Sequence, residues 1–225
     1  MQQLNFIIDG KERAARIDNL IVAGWTGRDK AALDHHIAEL AAIGVKPPRA
    51  TPCFYRMGAN LLTQDETIEV IGTASSGEVE FVLVALPDGL YVAVGSDHTD
   101  RKVEAYGVTV SKQLCPKPVS RELWRMSDLA DHWDELMLRA WVTRGGKREL
   151  YQEGLVTRML APDDLTRRYL GQAGALPPGT LMYCGTQPVI GAIGGGERFE
   201  VELDDPRMKR KLRHAYATRC LEIID

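Results

Sequence analysis

The sequence predicts an α+β fold in which strands dominate and a few helices are inserted among them. Three observations carry that expectation. From Ile68 to Val110 the chain is rich in short apolar, strand-like runs, split by the turn sequences ASSGE and LPDGL. Only three segments have helical spacing or a helix-start signal, and each lies between strand-like stretches. Beyond Gln172 the chain again reads as strands separated by glycine-rich turns.

Taken in order, MQQLNFIIDGKERAARI is a hairpin, because its apolar run stops at Asp9-Gly10. This hairpin, residues 1–18, extends a single domain expected to span 1–225. NLIVAGWTG follows as an apolar stretch. In RDKAALDHHIAELAAIG, Leu33, Ile37 and Leu40 fall on one helical face, and Gly44 suits a C-cap. The proline-bearing VKPPRATPCFYRMG is irregular. After the strand-rich centre, SDLADHWDELMLRAW carries its own apolar stripe and reads as a helix, while RGGKREL turns into another strand pair. APDDLTRRYLGQ has Pro162 at a natural first helical position. GAIGGGERF reads as a flexible hairpin turn, since it lacks the G-x-G-x-x-G pattern and a following helix.

At 225 residues, 44% hydrophobic and 26% charged, the composition is that of a globular protein with one sizeable core or two small ones. The opening residues lack a basic n-region, and no stretch reaches the roughly 18 apolar residues of a membrane span, so a cytoplasmic location is expected. A formal charge of −3 gives no general attraction to nucleic acid. The basic RMKRKLRH follows the acidic VELDDP and reads as the solvated face of a late hairpin. Cys53, Cys115, Cys184 and Cys220 form no C-x-x-C pair, which argues for reduced core or near-core thiols over structural zinc or a redox motif. His132, among acids in DLADHWDEL, reads as a surface residue, and Cys115 as a packing residue without a neighbouring base.

GEVEFVLVAL, Gly77 to Leu86, raises a chemical question. It reads as a strand, yet Glu78 and Glu80 project from the same face as Val82 and Val84. If Pro87-Asp88 is a two-residue loop, Glu78 falls opposite Asp97; if Asp88-Gly89 is the loop, Glu80 does. Either register gathers three carboxylates on one face, whereas a three-residue loop would break that parity unless a bulge restored it. Like charges repel, and carboxylates leaving water carry a large desolvation cost, which a divalent cation would offset. Oxygen ligands favour Mg²⁺, Mn²⁺ or Ca²⁺. The alternative is a solvated strand end.

GEVEFVLV, VGSDHTDR, SKQLCPKPVS, LPPGTLMYCGTQPVIGAI and ERFEVEL, in that order, resemble the fumarylacetoacetate hydrolase family, with its E-x-E strand, N-D-x-S-x-R-D-like segment, Lys-bearing segment before Cys-Pro or Gly-Pro, and late P-G-D-x-x-x-x-G-T-P-x-G-V-G segment. VAGWTGRDKAALDHHIAEL is similar to the family's early V-G-x-N-Y-x-x-H-x-x-E, and ELYQEGLVTRMLAPDDL to its Q-x-x-x-T-x-x-M segment. The resemblance covers roughly residues 20 to 203. It implies a mixed β-sandwich or β-roll core with a few peripheral helices, a Mg²⁺ or Mn²⁺ cofactor, a small-molecule substrate and a homodimer. Residue by residue, it puts metal ligands at Glu78, Glu80 and Asp97, the active-site lysine at Lys112, and substrate contacts at Arg101 and Thr186. The pattern departs in places: Ser96 stands for the usual Asn, Thr26-Gly27 for N-Y, the Glu80–Asp97 hairpin is short, and GTQPVIG has an extra residue. His98 alternates away from Asp97 on a strand and is not expected to be a ligand, unless a bend there turns it in.

His36 and Glu39 lie about 60° apart on the first helix and border its apolar stripe, whereas His35 points away. The pair suits a general base, with the carboxylate orienting the imidazole; in the relatives the corresponding residues sit on a lid. An ordinary i,i+3 surface pair is the alternative. The resemblance implies a metal-dependent hydrolase cleaving a C–C bond in a 1,3-dicarbonyl or acylpyruvate-type 2-oxo acid. Decarboxylation, isomerisation or hydration of a 2-oxo acid would use the same site, and a catalytically silent ligand-binding protein would keep only the fold.

Overall fold

The structure, a computed structural model, describes residues 1–42, 48–222 and 224, and no side chain at positions 36 and 39–42. The chain runs β1 (Gln2–Ile8), β2 (Lys11–Ile17), β3 (Asn19–Gly24), α1 (Lys30–Ala42), β4 (Cys53–Met57), β5 (Leu62–Thr63), β6 (Thr67–Ile71), β7 (Ser75–Ser76), β8 (Val79–Leu86), β9 (Gly89–Ser96) and β10 (Thr99–Asp100). It continues α2 (Arg101–Glu104), α3 (Val108–Gln113), β11 (Lys117–Pro118), β12 (Glu122–Arg125), β13 (Met137–Arg144), β14 (Lys147–Leu155), α4 (Pro162–Leu170), β15 (Thr180–Thr186), β16 (Arg198–Asp205) and β17 (Arg210–Leu221). Eight strands form one sheet in the order β2-β1-β12-β9-β8-β15-β3-β4, and five form another, β14-β13-β16-β17-β6.

Turn chemistry sets the hairpins. Asp9 and Gly10 both have positive φ, 52° and 74°, as the two-residue turn matching strand twist requires. Gly145 and Gly146, at 55° and 74°, do the same between β13 and β14. At the PDG turn Leu86 pairs with Gly89, so Pro87-Asp88 is the loop. Asp88 there accepts from Arg13 at 2.6 Å and Tyr91 at 2.9 Å.

The unbroken apolar run of β8 follows from its place between two cores. All eight of its residues are buried. Phe81 and Leu83 pack against Leu138, Val201 and Leu203 of the five-stranded sheet. Val82 and Val84 face the opposite way, into a cluster with Phe6, Ile17, Leu20 and Met57. Because β2 and β4, the two edges of the eight-stranded sheet, both feed that cluster, the sheet curls around it as a roll. Each such apolar side chain contributes about 1.5–3 kcal/mol on burial, so neither face of β8 tolerates routine polar alternation.

Several expectations are corrected. Residues 127–141 are not a helix: two 3₁₀ turns, Met126–Asp128 and Trp133–Glu135, lead into β13, where Leu138, Ala140 and Val142 alternate inward. The end of the strand-rich centre, residues 101–110, instead carries α2 and the start of α3, and the irregular proline stretch contains β4. GAIGGGERF joins β15 to β16 in the other sheet, so it is a crossover and not a hairpin turn. His132 is buried, and Asp205, at the end of β16, meets it. Cys220 is exposed, while Cys115 and Cys184 are buried. The helix at Pro162 forms as expected and ends at Gly171, φ 70°. Gly44 lies outside the described residues. Among those described, no helix is long and apolar enough to cross a membrane.

Candidate metal centre

The β8–β9 register builds the centre. Val79 pairs with Ser96, and the amide of Asp97 donates to the Glu78 carbonyl at 3.0 Å. Glu80 continues the face of Val82 and Val84, and Asp97 that of Tyr91 and Ala93, so both project to the roll side. Glu78, Glu80 and Asp97 each bring a carboxylate oxygen within 4.8 Å of the others. Glu80 and Asp97 are only 2% and 0% exposed.

Two short helices supply the opposing charge. Asp100 caps α2 by accepting from the amides of Lys102 and Val103. Arg101 is thereby turned back to donate to Ser76 Oγ at 2.7 Å and Glu78 Oε1 at 2.9 Å. Lys112, in the last turn of α3, bonds Asp97 Oδ2 and, at 3.2 Å, Glu78 Oε2. Lys117 is fully buried and donates to the carbonyls of His98, Lys112 and Cys115 at 2.7, 2.5 and 3.0 Å. Its ammonium lies 3.3 Å from Asp97 Oδ1.

Electrostatics separate the acids. Burial would raise the Glu78 carboxyl, but Lys112 and Arg101 outweigh it and pull it to about 2. Burial, with Asp97 and Glu78 alongside, pushes Glu80 well above the ordinary carboxylate range. Burial opposes the charge on Lys112, but the three acids more than compensate and hold it protonated. Burial lowers Lys117, with Asp97 opposing.

A bulge in β15 completes the centre. Tyr183 pairs with Val82 but Thr186 pairs with Glu80, one residue out of step. Gly185, φ 100°, occupies the bulge and donates its amide to Glu80 Oε2 at 2.6 Å. A Cβ there would fall 1.9 Å from Thr26 Oγ1. Thr186 donates its hydroxyl to the Val79 carbonyl at 2.8 Å.

Of the residues singled out from sequence, Glu78, Glu80, Asp97, Arg101, Lys112 and Thr186 thus come together. His98 points the other way: its Nδ1 meets the Tyr216 hydroxyl and its Nε2 the Ser75 hydroxyl, both at 3.0 Å, and burial holds its imidazole down to about 3. The side chains of His36 and Glu39 lie outside the described ones; their backbone belongs to α1, whose Leu33 packs on Gly27 next to Thr26, and His35 is exposed. The sequence assigns no role to Lys117 or Gln152, although both lie in segments that carry the resemblance, SKQLCPKPVS and ELYQEGLVTRMLAPDDL. Nor does it flag Trp25, held at φ 57° beside Tyr55, whose hydroxyl is 3.1 Å from Cys53 Sγ; the charge of Lys112 acts on both Tyr55 and Cys53.

The donor set suits a hard divalent cation. All three ligand groups offer oxygen, burial and the neighbouring acids disfavour the ionised form of Glu80, and buried Asp97 Oδ1 takes no hydrogen bond although the Lys117 ammonium lies 3.3 Å away.

No curated protein sequence matches this one. Solved structures do match in fold. A protein from Oleispira antarctica, named as a candidate fumarylacetoacetate isomerase/hydrolase, superposes with a TM-score of 0.67 at 14% identity, over 97% of this chain and 100% of its own. A fumarylacetoacetate hydrolase family protein from yeast gives 0.63 at 17% identity, over 93% and 97%. The apo form of 2-keto-3-deoxy-D-arabinonate dehydratase gives 0.66 at 14%, over 93% and 77%. The fold is therefore that of the fumarylacetoacetate hydrolases. A family model described as "Protein of unknown function (DUF2848)" matches residues 23–216, and the chain belongs to that family, a divergent branch carrying the fumarylacetoacetate hydrolase fold.

Proposed function

We propose that the protein is a divalent-metal-dependent hydrolase that cleaves a C–C bond in a 1,3-dicarbonyl or acylpyruvate-type 2-oxo acid. The observation that carries the reading is the convergence of Glu78, Glu80 and Asp97 beside Lys112 on the inner face of the roll. Those three carboxylates would hold Mg²⁺ or Mn²⁺. When bound, the cation supplies Lewis acidity to the oxygens of the substrate, the assistance that an enolate leaving group needs.

The chain's own groups do the rest. Lys112 keeps its proton and has bonds to two of the acids, leaving a third N–H for a substrate oxygen. Arg101 and Lys112 neutralise Glu78, so its carboxylate stays ionised at any pH of interest. His36 on α1, oriented by Glu39, takes the proton of the attacking water. Thr186 and the Gly185 amide fix the floor of the site through Val79 and Glu80.

The test is a screen of acylpyruvates, fumarylacetoacetate-like diketones and oxaloacetate with Mg²⁺, with metal content measured in parallel. Hydrolysis of an acylpyruvate or diketone by the parent, and loss of both turnover and bound metal in Glu80→Ala, is expected. A Glu80→Ala variant that holds Mn²⁺ as tightly as the parent removes the site assignment. Turnover of oxaloacetate alone would replace hydrolysis by decarboxylation on the same site.

A further inference from the structure

Val79 opens β8 between Glu78 and Glu80, one residue beyond the Thr186–Glu80 pair that ends the β15 ladder. Past Thr186 β15 ends, so Val79 has no strand partner on that side, and a buried amide or carbonyl without a partner costs roughly 1–3 kcal/mol. Side chains fill the gap. The Val79 amide donates to Gln152 Oε1 at 2.9 Å, Gln152 Nε2 donates to Thr186 Oγ1 at 2.9 Å, and Thr186 Oγ1 donates to the Val79 carbonyl at 2.8 Å. The three bonds close a ring on one residue, through the N–H of the peptide before Val79 and the C=O of the peptide after it. Gln152 Nε2 also donates to the Gln187 carbonyl at 2.5 Å, so both of its N–H donors are used at the site. Gln152 is fully buried and comes from β14, the edge strand of the other sheet.

We infer that Gln152 is a positioning residue for the metal centre: it crosses from the five-stranded sheet to lock the Val79 peptide, and with it the relative aim of Glu78 and Glu80. The inference rests on the metal-site reading above. A side chain without Gln152's acceptor and donor leaves the Val79 amide to rotate, and the two carboxylates on either side then sample several separations. Such a ring acts on cation affinity before any substrate is present, which separates it from a substrate contact.

Mn²⁺ binding by titration calorimetry, at a temperature where circular dichroism shows every variant folded, tests the inference. Gln152→Ala should weaken Mn²⁺ at least tenfold, and Thr186→Val, which opens the same ring elsewhere, several-fold. Val142→Ala, a cavity in neighbouring β13, supplies a control for lost stability and should stay within twofold of the parent. Equal Mn²⁺ affinities in Gln152→Ala and the parent, or equal losses in Gln152→Ala and Val142→Ala, overturn the inference. Should Gln152→Ala fail to fold, the Thr186→Val result against Val142→Ala decides by the same criterion. A parent that binds no Mn²⁺ sinks the metal-site reading itself and the ring's role with it.

Discussion

Glu80 combines burial, two neighbouring carboxylates and an amide donor from Gly185, so its ionised form is disfavoured and would gain from a bound cation. Replacing it by Gln keeps an acceptor for the Gly185 amide and removes the charge. Glu80→Gln should therefore melt higher than the parent in EDTA, by about 2–4 °C for each kcal/mol relieved, while losing stabilisation by Mn²⁺. An unchanged or lower Tm in EDTA would mean that the charge is already compensated. His36 is the second test at this scale: His36→Ala should lower kcat on a 1,3-diketone acid by roughly 10²–10⁴ and leave metal affinity nearly unchanged. His35→Ala, on the exposed side of α1, should do little, and equal activities of the two variants would remove the base assignment. The acids were legible in the sequence because strand parity and a two-residue loop suffice to bring Glu78, Glu80 and Asp97 together. Lys117 was not, since its three acceptors are backbone carbonyls that carry no sequence signal.

Among the elements, the turn between β16 and β17 shows most plainly how a distant partner changes a residue's meaning. His132 Nδ1 meets Asp131 at 2.7 Å and Nε2 meets Asp205 at 3.2 Å, while Asp205 also accepts from the Met208 amide and Arg210. The hydrogen bond to Asp131, aided by Asp205, raises His132 above its ordinary value. A raised imidazole contributes stability in full below its unfolded value of about 6.5 and loses it as pH rises through the folded value. The urea midpoint of the parent should accordingly fall between pH 5.5 and 8.5, and His132→Gln should flatten that fall; parallel curves would show that His132 does not titrate in this window. From sequence the same stretch looked like an amphipathic helix with a solvated histidine. Its apolar residues Leu129, Trp133 and Leu136 do fit helical spacing, but Leu136, Leu138, Ala140 and Val142 also fit a period of two, and pairing with both β14 and β16 decided for the strand.

Over the whole molecule, local pattern predicted strands and hairpins but not sheet order, because β1 joins β12 and β15 joins β3 in parallel across long stretches of chain. The centre draws on β8, β9, β15, α2 and α3, so a cation that binds only the folded chain should stabilise all of them together. At 100 times its Kd the gain is about 2.7 kcal/mol, which corresponds to a rise in Tm of roughly 5–10 °C. Calorimetric scans in EDTA and in saturating Mn²⁺ measure it, and coincident melting temperatures would exclude a native-state cation site. The position of β8 between two cores has a further consequence, in mutational tolerance. Its side chains are committed on both faces, so random substitution between Val79 and Leu86 mostly costs stability before it can alter chemistry. The crossover residues Ile190 to Ile193, by contrast, are exposed and belong to neither core, so they can change without opening either one. Laboratory selection for a new substrate should therefore accumulate its gains in such exposed connections, while the strand between the cores stays as it is.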